Sequence, residues 1–203
     1  MYFNLDKYFV MGSNNCHHQI PLQVLESALQ AGVTMFQFRE KGLDALSGEE
    51  YIQFAKQCQL LCRRFQVPFI INDDLHLAIK LNADGLHIGQ DDGDIAHIRK
   101  LIPNKILGVS VHTLSQLDEA IVKGADYVGI GPIFKTTSKD DAIQSSLSFL
   151  TEAREQQPQF PIVAIGGITT KNSKVVRQAG ATGVAVISEI TQSKNVIQTI
   201  KEL

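Results

Sequence analysis

Val33-Thr34-Met35-Phe36-Gln37-Phe38-Arg39-Glu40-Lys41 is an apolar run that ends in charge. Val33 to Phe38 reads as a buried strand. Successive side chains of an extended chain point to opposite faces. Phe36 and Phe38 therefore share one face, while Gln37, Arg39 and Lys41 share the other. A helical pattern, Gly48–Phe65, follows.

The same order recurs along the chain. Candidate strands are Tyr8–Met11, Thr34–Phe38, Phe69–Asn72, Gly85–Ile88, Ile106–Ser110, Tyr127–Ile130, Ile162–Ile165 and Val184–Ile187. Helical patterns lie at Pro21–Ala31, Gly48–Phe65, Leu75–Leu81, Ile95–Leu101, Ser115–Lys123, Ser145–Gln156, Lys171–Ala179 and Ser193–Leu203. Gly32, Gly124 and Gly180 stand where helices would stop. Strand–helix alternation predicts a parallel sheet. Eight unbroken alternations predict an α/β fold closed as a (β/α)8 barrel of the TIM type, one domain over residues 1–203. An open doubly wound sheet is the competing architecture, and it needs a switch point that sequence does not display.

Face parity predicts what the barrel contains. Leu86, Ile88, Leu107, Val109, Val128 and Ile130 suit packing against helices. Gly85, His87, Gly89, Gly108, Ser110, Tyr127, Gly129 and Gly131 fall on the opposite, inward faces.

Composition narrows the function classes. The 203 residues are 44% hydrophobic and 20% charged, with net charge −2 and no basic block. A nucleic-acid or anionic-membrane surface has no electrostatic support. The first twelve residues do not read as a secretory signal, and no apolar run is long enough to span a bilayer. A cytoplasmic location is the expectation. Cys16, Cys58 and Cys62 form no disulfide framework. Cys58 and Cys62 read as core, and Cys16-His17-His18 lacks the further ligands a metal cluster needs. Oligomeric state is left open, a homo-oligomer included.

Polar groups gather at the predicted strand ends, where barrel enzymes build their sites. Arg39 offers a planar fork of donors and Lys41 a compact charge, and both suit a polyanion such as diphosphate. A solvated strand end would look the same. Asn72-Asp73-Asp74 and Gly89-Gln90-Asp91-Asp92 put carboxylates on neighbouring strand ends, where they could share Mg²⁺ or serve as turns and helix caps. Ser110 and His112 end the fifth strand. Thr136, Thr137 and Ser138 lie between Lys135 and Lys139, as in a phosphate grip or a mobile polar loop. Gly166-Gly167 and Ile187-Ser188 end the last two strands, where backbone N–H groups of barrels often hold phosphate; Gly-Gly also suits a tight turn. No Ser-His-Asp arrangement or activated Cys stands out.

Taken in order, Gln37–Lys41, Asn72-Asp73-Asp74, His87–Asp92, Gly108–Thr113, Gly129–Phe134 and Ile165–Ile168 resemble thiamine phosphate synthase over nearly the whole chain. The resemblance implies a (β/α)8 barrel. It also implies condensation of hydroxymethylpyrimidine diphosphate with thiazole phosphate to give thiamine phosphate and diphosphate. By the family pattern, Gln37, Arg39, Lys41, Asn72, Ser110 and Lys139 hold the pyrimidine diphosphate, and Asp73 and Asp92 ligate Mg²⁺. Arg39, Lys41, Ser110 and Lys139 take the catalytic load. Thr136, Thr137, Ser138, Gly166, Gly167, Ile187 and Ser188 hold the thiazole phosphate, and His87 and Gln90 orient the pyrimidine ring. Lys135 replaces the family's usual proline and Ser138 its usual threonine, which bears on thiazole phosphate affinity and loop closure. Two other readings compete: a thiazole tautomerase-like isomerase and a non-catalytic barrel that binds thiazole or thiamine phosphate. Neither requires an intact Gln37–Lys41 segment or Asp92.

Overall fold

Eight parallel strands pair in chain order, and the eighth closes on the first. The computed structural model describes residues 3–16, 19–136 and 146–203. The strands are β1 Lys7–Met11, β2 Met35–Phe38, β3 Phe69–Asn72, β4 Gly85–Ile88, β5 Ile106–Val111, β6 Tyr127–Ile130, β7 Ile162–Ile165 and β8 Gly183–Val186. The helices are α1 Pro21–Gln30, α2 Gly48–Arg64, α3 Leu75–Lys80, α4 Ile95–Leu101, α5 Leu114–Val122, α6 Leu147–Gln156, α7 Ser173–Gln178, α8 Ser188–Thr191 and α9 Val196–Glu202. Lys7 pairs with Val184, Tyr8 with Ala185 and Phe9 with Val186, so no sheet edge is left open.

The two-residue period sorts the apolar side chains into two layers. Phe9, Phe36, Phe38, Phe69, Leu86, Leu107 and Val128 face outward into the layer beneath the helices. Tyr8, Met35, Ile70, Ile106, Tyr127, Val163 and Ala185 fill the barrel interior. The outer layer is the larger, and each fully buried Leu or Phe in it stabilises the fold by about 1.5–3 kcal/mol. Phe36 packs against Phe9 and Phe69 with ring centroids 5.6 and 6.1 Å apart, joining three strands. The predicted parity holds for β2, β4, β5 and β6.

Helix starts are chemically marked. Asp74, Asp94, Thr113, Ser146 and Asn195 each accept a hydrogen bond from a backbone N–H in the first turn. Glu49 and Glu50 open α2 and Arg63 and Arg64 close it, in keeping with the helix dipole.

Some boundaries differ from the sequence reading. The last helix begins at Val196 instead of Ser193, because Asn195 takes the cap position. Two short elements escape pattern reading: a 3-10 turn at Ser13–Asn15 and the one-turn α8 directly after β8. Neither is long enough to show a period. Of the Cys16-His17-His18 triplet only Cys16 is described, and it is buried. No described helix is long and apolar enough to cross a membrane.

Candidate functional site

The carboxyl ends of the strands open on a cavity lined by Gln37, Arg39, Asn72, His87, Ser110, Thr136, Gly166, Gly167, Ile187 and Ser188. These predicted residues come from six strand ends and one loop, and the closed sheet brings them to one place. Tyr8, Val163, Ile165, Ala185 and His112 line it as well. Gln90 is not in the lining: its amide donates to the Ser110 carbonyl at 2.6 Å and braces the end of β5. Thr137, Ser138 and Lys139 lie outside the described residues.

The rim beside Arg39 carries a charge cluster. Lys41 Nζ forms an ion pair with the Asp73 carboxylate. Asp73 is also hydrogen-bonded to Asp92. Burial first, and then the adjoining Asp92 carboxyl, hold the Asp73 carboxyl above its ordinary range, while Lys41 pulls the other way. Burial lowers the Arg39 guanidinium from its usual value, and the Asp73 charge opposes that fall. It remains a cation, since a guanidinium does not deprotonate in proteins.

Local backbone geometry explains how these groups meet. Asp73 adopts a φ of 62°, uncommon for a residue with a side chain, at the turn from β3 to α3. Its N–H donates to the His87 carbonyl at 2.8 Å, tying β3 to β4. Asp74 then points the other way and caps α3 through Leu77 N–H at 2.8 Å. The Asn72-Asp73-Asp74 cluster thus divides three ways: Asn72 lines the cavity, Asp73 meets Lys41 and Asp92, and Asp74 is the helix cap. Asp92 Oδ2 accepts from Gly89 N–H at 2.7 Å, which curls the loop after β4 back toward Asp73.

Glu40, the one acid in the Gln37–Lys41 segment, is spent on structure. It accepts from Ser13 N–H at 2.7 Å, Ser13 Oγ at 2.5 Å and Leu46 N–H at 2.9 Å. Asn14 Nδ2 donates to the carbonyls of Lys41 and Leu43, both at 2.9 Å. This clasp holds the Lys41 backbone against the loop after β1. On the opposite side, Gly167 has φ +63°, and a Cβ there would stand 2.8 Å from both the Lys135 carbonyl oxygen and Phe134 Cβ. A residue with no side chain lets the turns after β6 and β7 close together. Ser188 opens α8 next to that turn.

A buried chain of hydrogen bonds forms the cavity floor. Gln37 Nε2 donates to Tyr8 Oη at 2.8 Å, and Tyr8 and Tyr127 hydroxyls lie 2.8 Å apart. Tyr127 Oη is 2.9 Å from His87 Nδ1, and His87 Nε2 is 2.9 Å from Ser110 Oγ. Sequence reasoning placed Tyr127 inside the barrel but assigned neither tyrosine to the site. Parity applied to β1 would have shown Tyr8 facing inward with Val10.

The chain matches the family model described as thiamine monophosphate synthase over residues 7–190. It is 58% identical over 198 residues to the thiamine-phosphate synthase of Lysinibacillus sphaericus, covering 97% of this chain and 93% of the relative. It is 46% identical over 200 residues to that of Oceanobacillus iheyensis, covering 98% and 97%. Among solved structures, a thiamine phosphate pyrophosphorylase from Pyrococcus furiosus superposes with a TM-score of 0.86 at 31% identity, covering 98% of this chain and 93% of that one.

Proposed function

The chain belongs to the thiamine monophosphate synthase family, and from that membership and the geometry of the cavity rim we propose that it joins hydroxymethylpyrimidine diphosphate to thiazole phosphate. The C–O bond to diphosphate breaks and a C–N bond to the thiazole nitrogen forms. The single observation that carries this reading is the meeting of Lys41, Asp73 and Asp92 on the rim beside Arg39.

The residue types suit the reaction. The aminopyrimidine ring pushes electrons toward its methylene carbon as diphosphate departs, so the protein has to stabilise charge more than supply a nucleophile. Arg39 and Lys41, with Lys139 as expected from sequence, offset the negative charge growing on the leaving group. Ser110 and Asn72 offer neutral donors or acceptors beside it, and Gln37 and His87 bound the ring from below. Gly166, Gly167, Ser188 and Thr136, with Thr137 and Ser138, would receive the thiazole phosphate. That grip sets the thiazole nitrogen in line with the methylene carbon, where positioning is the main contribution.

Asp73 and Asp92 would hold Mg²⁺. Their donor set fits a hard cation: two adjoining carboxylates crowd like charge, which a divalent ion relieves. Among the described residues no group of three or more His, Cys, Asp or Glu gathers in metal-binding fashion. Two carboxylates completed by water and phosphate oxygens is the usual Mg²⁺ arrangement. When bound there, the ion supplies neutralising charge to the diphosphate. The proposed place of work is the cytoplasm, on small phosphorylated substrates.

The test is to incubate the purified protein with both substrates and Mg²⁺ and follow thiamine phosphate formation. Asp92→Ala should abolish Mg²⁺-dependent coupling and keep the fold. Full turnover by that variant, or thiazole isomerisation without coupling, would overturn the reading.

A further inference from the structure

The floor of the cavity contains four hydrogen bonds in series, and the hydrogens in it can be counted. Gln37 Nε2 occupies one lone pair of Tyr8 Oη. Tyr8 lies at the cavity floor with 1% exposure, and with its Gln37 contact taken up as an acceptor, the protein acceptor for its own hydroxyl hydrogen is Tyr127 Oη at 2.8 Å. With that bond accepted, the Tyr127 hydrogen must go on to His87 Nδ1 at 2.9 Å. His87 then carries its hydrogen on Nε2 and donates it to Ser110 Oγ at 2.9 Å. With Gln37 Nε2 facing Tyr8, the reverse order would leave the Tyr8 hydrogen without a protein acceptor, and burying an unsatisfied donor is costly. Burial also holds both phenols well above their ordinary range, so each keeps the hydrogen the chain requires.

The barrel is built around this chain. Gly108 sits beside it, and a methyl group there would overlap both the Tyr127 ring and His87 Nδ1. The His87 and Tyr127 rings lie 5.5 Å apart and the two tyrosine rings meet edge-on at 6.0 Å. Neither tyrosine hydroxyl has rotational choice without breaking a link.

The geometry points to a one-way relay in which Tyr8 and Tyr127 fix His87 as the neutral Nε2–H tautomer and thereby turn the Ser110 hydroxyl hydrogen outward, into the cavity, as a donor for an anionic ligand oxygen. Tyr8 and Tyr127 are positioning residues for Ser110. The functional half of this inference rests on the proposed synthase reading, since it takes the acceptor to be an oxygen of the departing diphosphate. A relay run backwards would present Ser110 as an acceptor, and an oxyanion would then meet a lone pair.

Nitrogen-15 NMR of His87 in the ligand-free protein near neutral pH tests the relay without reference to catalysis. Nδ1 should resonate as an unprotonated, pyridine-type nitrogen and Nε2 as a protonated one. An Nδ1–H tautomer, or an imidazolium, overturns the relay. Kinetics then test the link to Ser110. Tyr127→Phe should lower kcat about 10- to 100-fold with KM changed far less, because the donor matters most as charge builds on the leaving group. In a Ser110→Ala background the same substitution should cost less than about twofold. Losses that multiply independently would show that Tyr127 acts by another route. Should the protein fail to form thiamine phosphate at all, the NMR result still decides the tautomer, and only the assignment of the acceptor falls.

Discussion

Arg99 and Arg39 are both half-buried arginines, one at each end of the barrel, and they are used in opposite ways. Arg99 reaches from α4 across the amino ends of β5 and β6. It donates to the carbonyls of Gly124 at 3.0 Å, Ile102 at 3.0 Å and Lys105 at 2.8 Å, and pairs with Asp126 at 2.7 Å. Arg154 repeats the device from α6, with Gly180, Gln157, Phe160 and Thr182 as acceptors. Asp126 and Thr182 in turn accept from an N–H at the start of the neighbouring strand, Leu107 of β5 and Ile162 of β7. Both of these arginines are answered by the protein itself. Arg39 instead lines the cavity beside Asp73, which holds a φ of 62° and whose carboxylate is crowded by that of Asp92. The lesson is a division of labour: the amino-end clamps hold the strands in register, and the carboxyl-end groups crowd like charge that a charged ligand can relieve.

Substitutions at the two ends should therefore separate activity from stability. The largest effect is expected for Arg39→Ala, with kcat/KM falling about 10³-fold, on the order of 4 kcal/mol of transition-state stabilisation. Its melting temperature should stay within about 2 °C of the parent. A collapse in melting temperature would break the division at once. Arg99→Ala should do the reverse. It strands several carbonyls and Asp126, costs about 2–4 kcal/mol in denaturant unfolding, and leaves kcat/KM within about twofold.

A pH series sharpens the same contrast from inside the core. Burial raises Cys58 and Cys62 above the usual thiol value of 9.0 and Tyr8 and Tyr127 above the usual phenol value of 10.0. The folded state therefore retains protons that the unfolded chain releases. Stability from these groups is full below pH 9 and is lost as pH rises through 9 and 10 toward the folded values. Urea midpoints should fall over that range, and Tyr8→Phe should flatten the slope. A slope unchanged by that substitution would mean Tyr8 is not a source of it.

The smallest effect is expected for Thr113→Ala. Thr113 directly follows His112 of the cavity lining, yet its Oγ1 only caps α5 through Gln116 N–H at 3.2 Å. A loss of about 1 kcal/mol with unchanged turnover would show that nearness to the cavity alone confers no role.

The architecture was legible in the sequence because its signals are local. A two-residue period tells which side chains share a face, and eight apolar runs separated by helical patterns predict eight strand–helix units. Parity within Met35–Phe38 places Gln37 inside and Phe36 and Phe38 outside without knowledge of any partner strand. The strand-end cations and acids were visible in the same way. What parity cannot say is which side chains from different strands touch. The Asn72-Asp73-Asp74 cluster read by itself more readily as turn or cap than as metal ligand, and the φ of Asp73 divided it between the two. Asp73 meets Asp92 because two loops fold toward each other, and Glu40 turns out to be a clasp because Ser13 and Leu46 come to it.

By itself, then, the order of residues determined the number of strands, their parallel arrangement and the faces they present, because backbone geometry repeats over two residues or three to four. Closure decided the rest. Tyr8 of β1 and Tyr127 of β6 are 119 residues apart in the chain and belong to strands that are not neighbours. Their hydroxyls meet only because a sheet bent into a cylinder brings opposite walls within reach of two phenol rings, a distance no local pattern encodes.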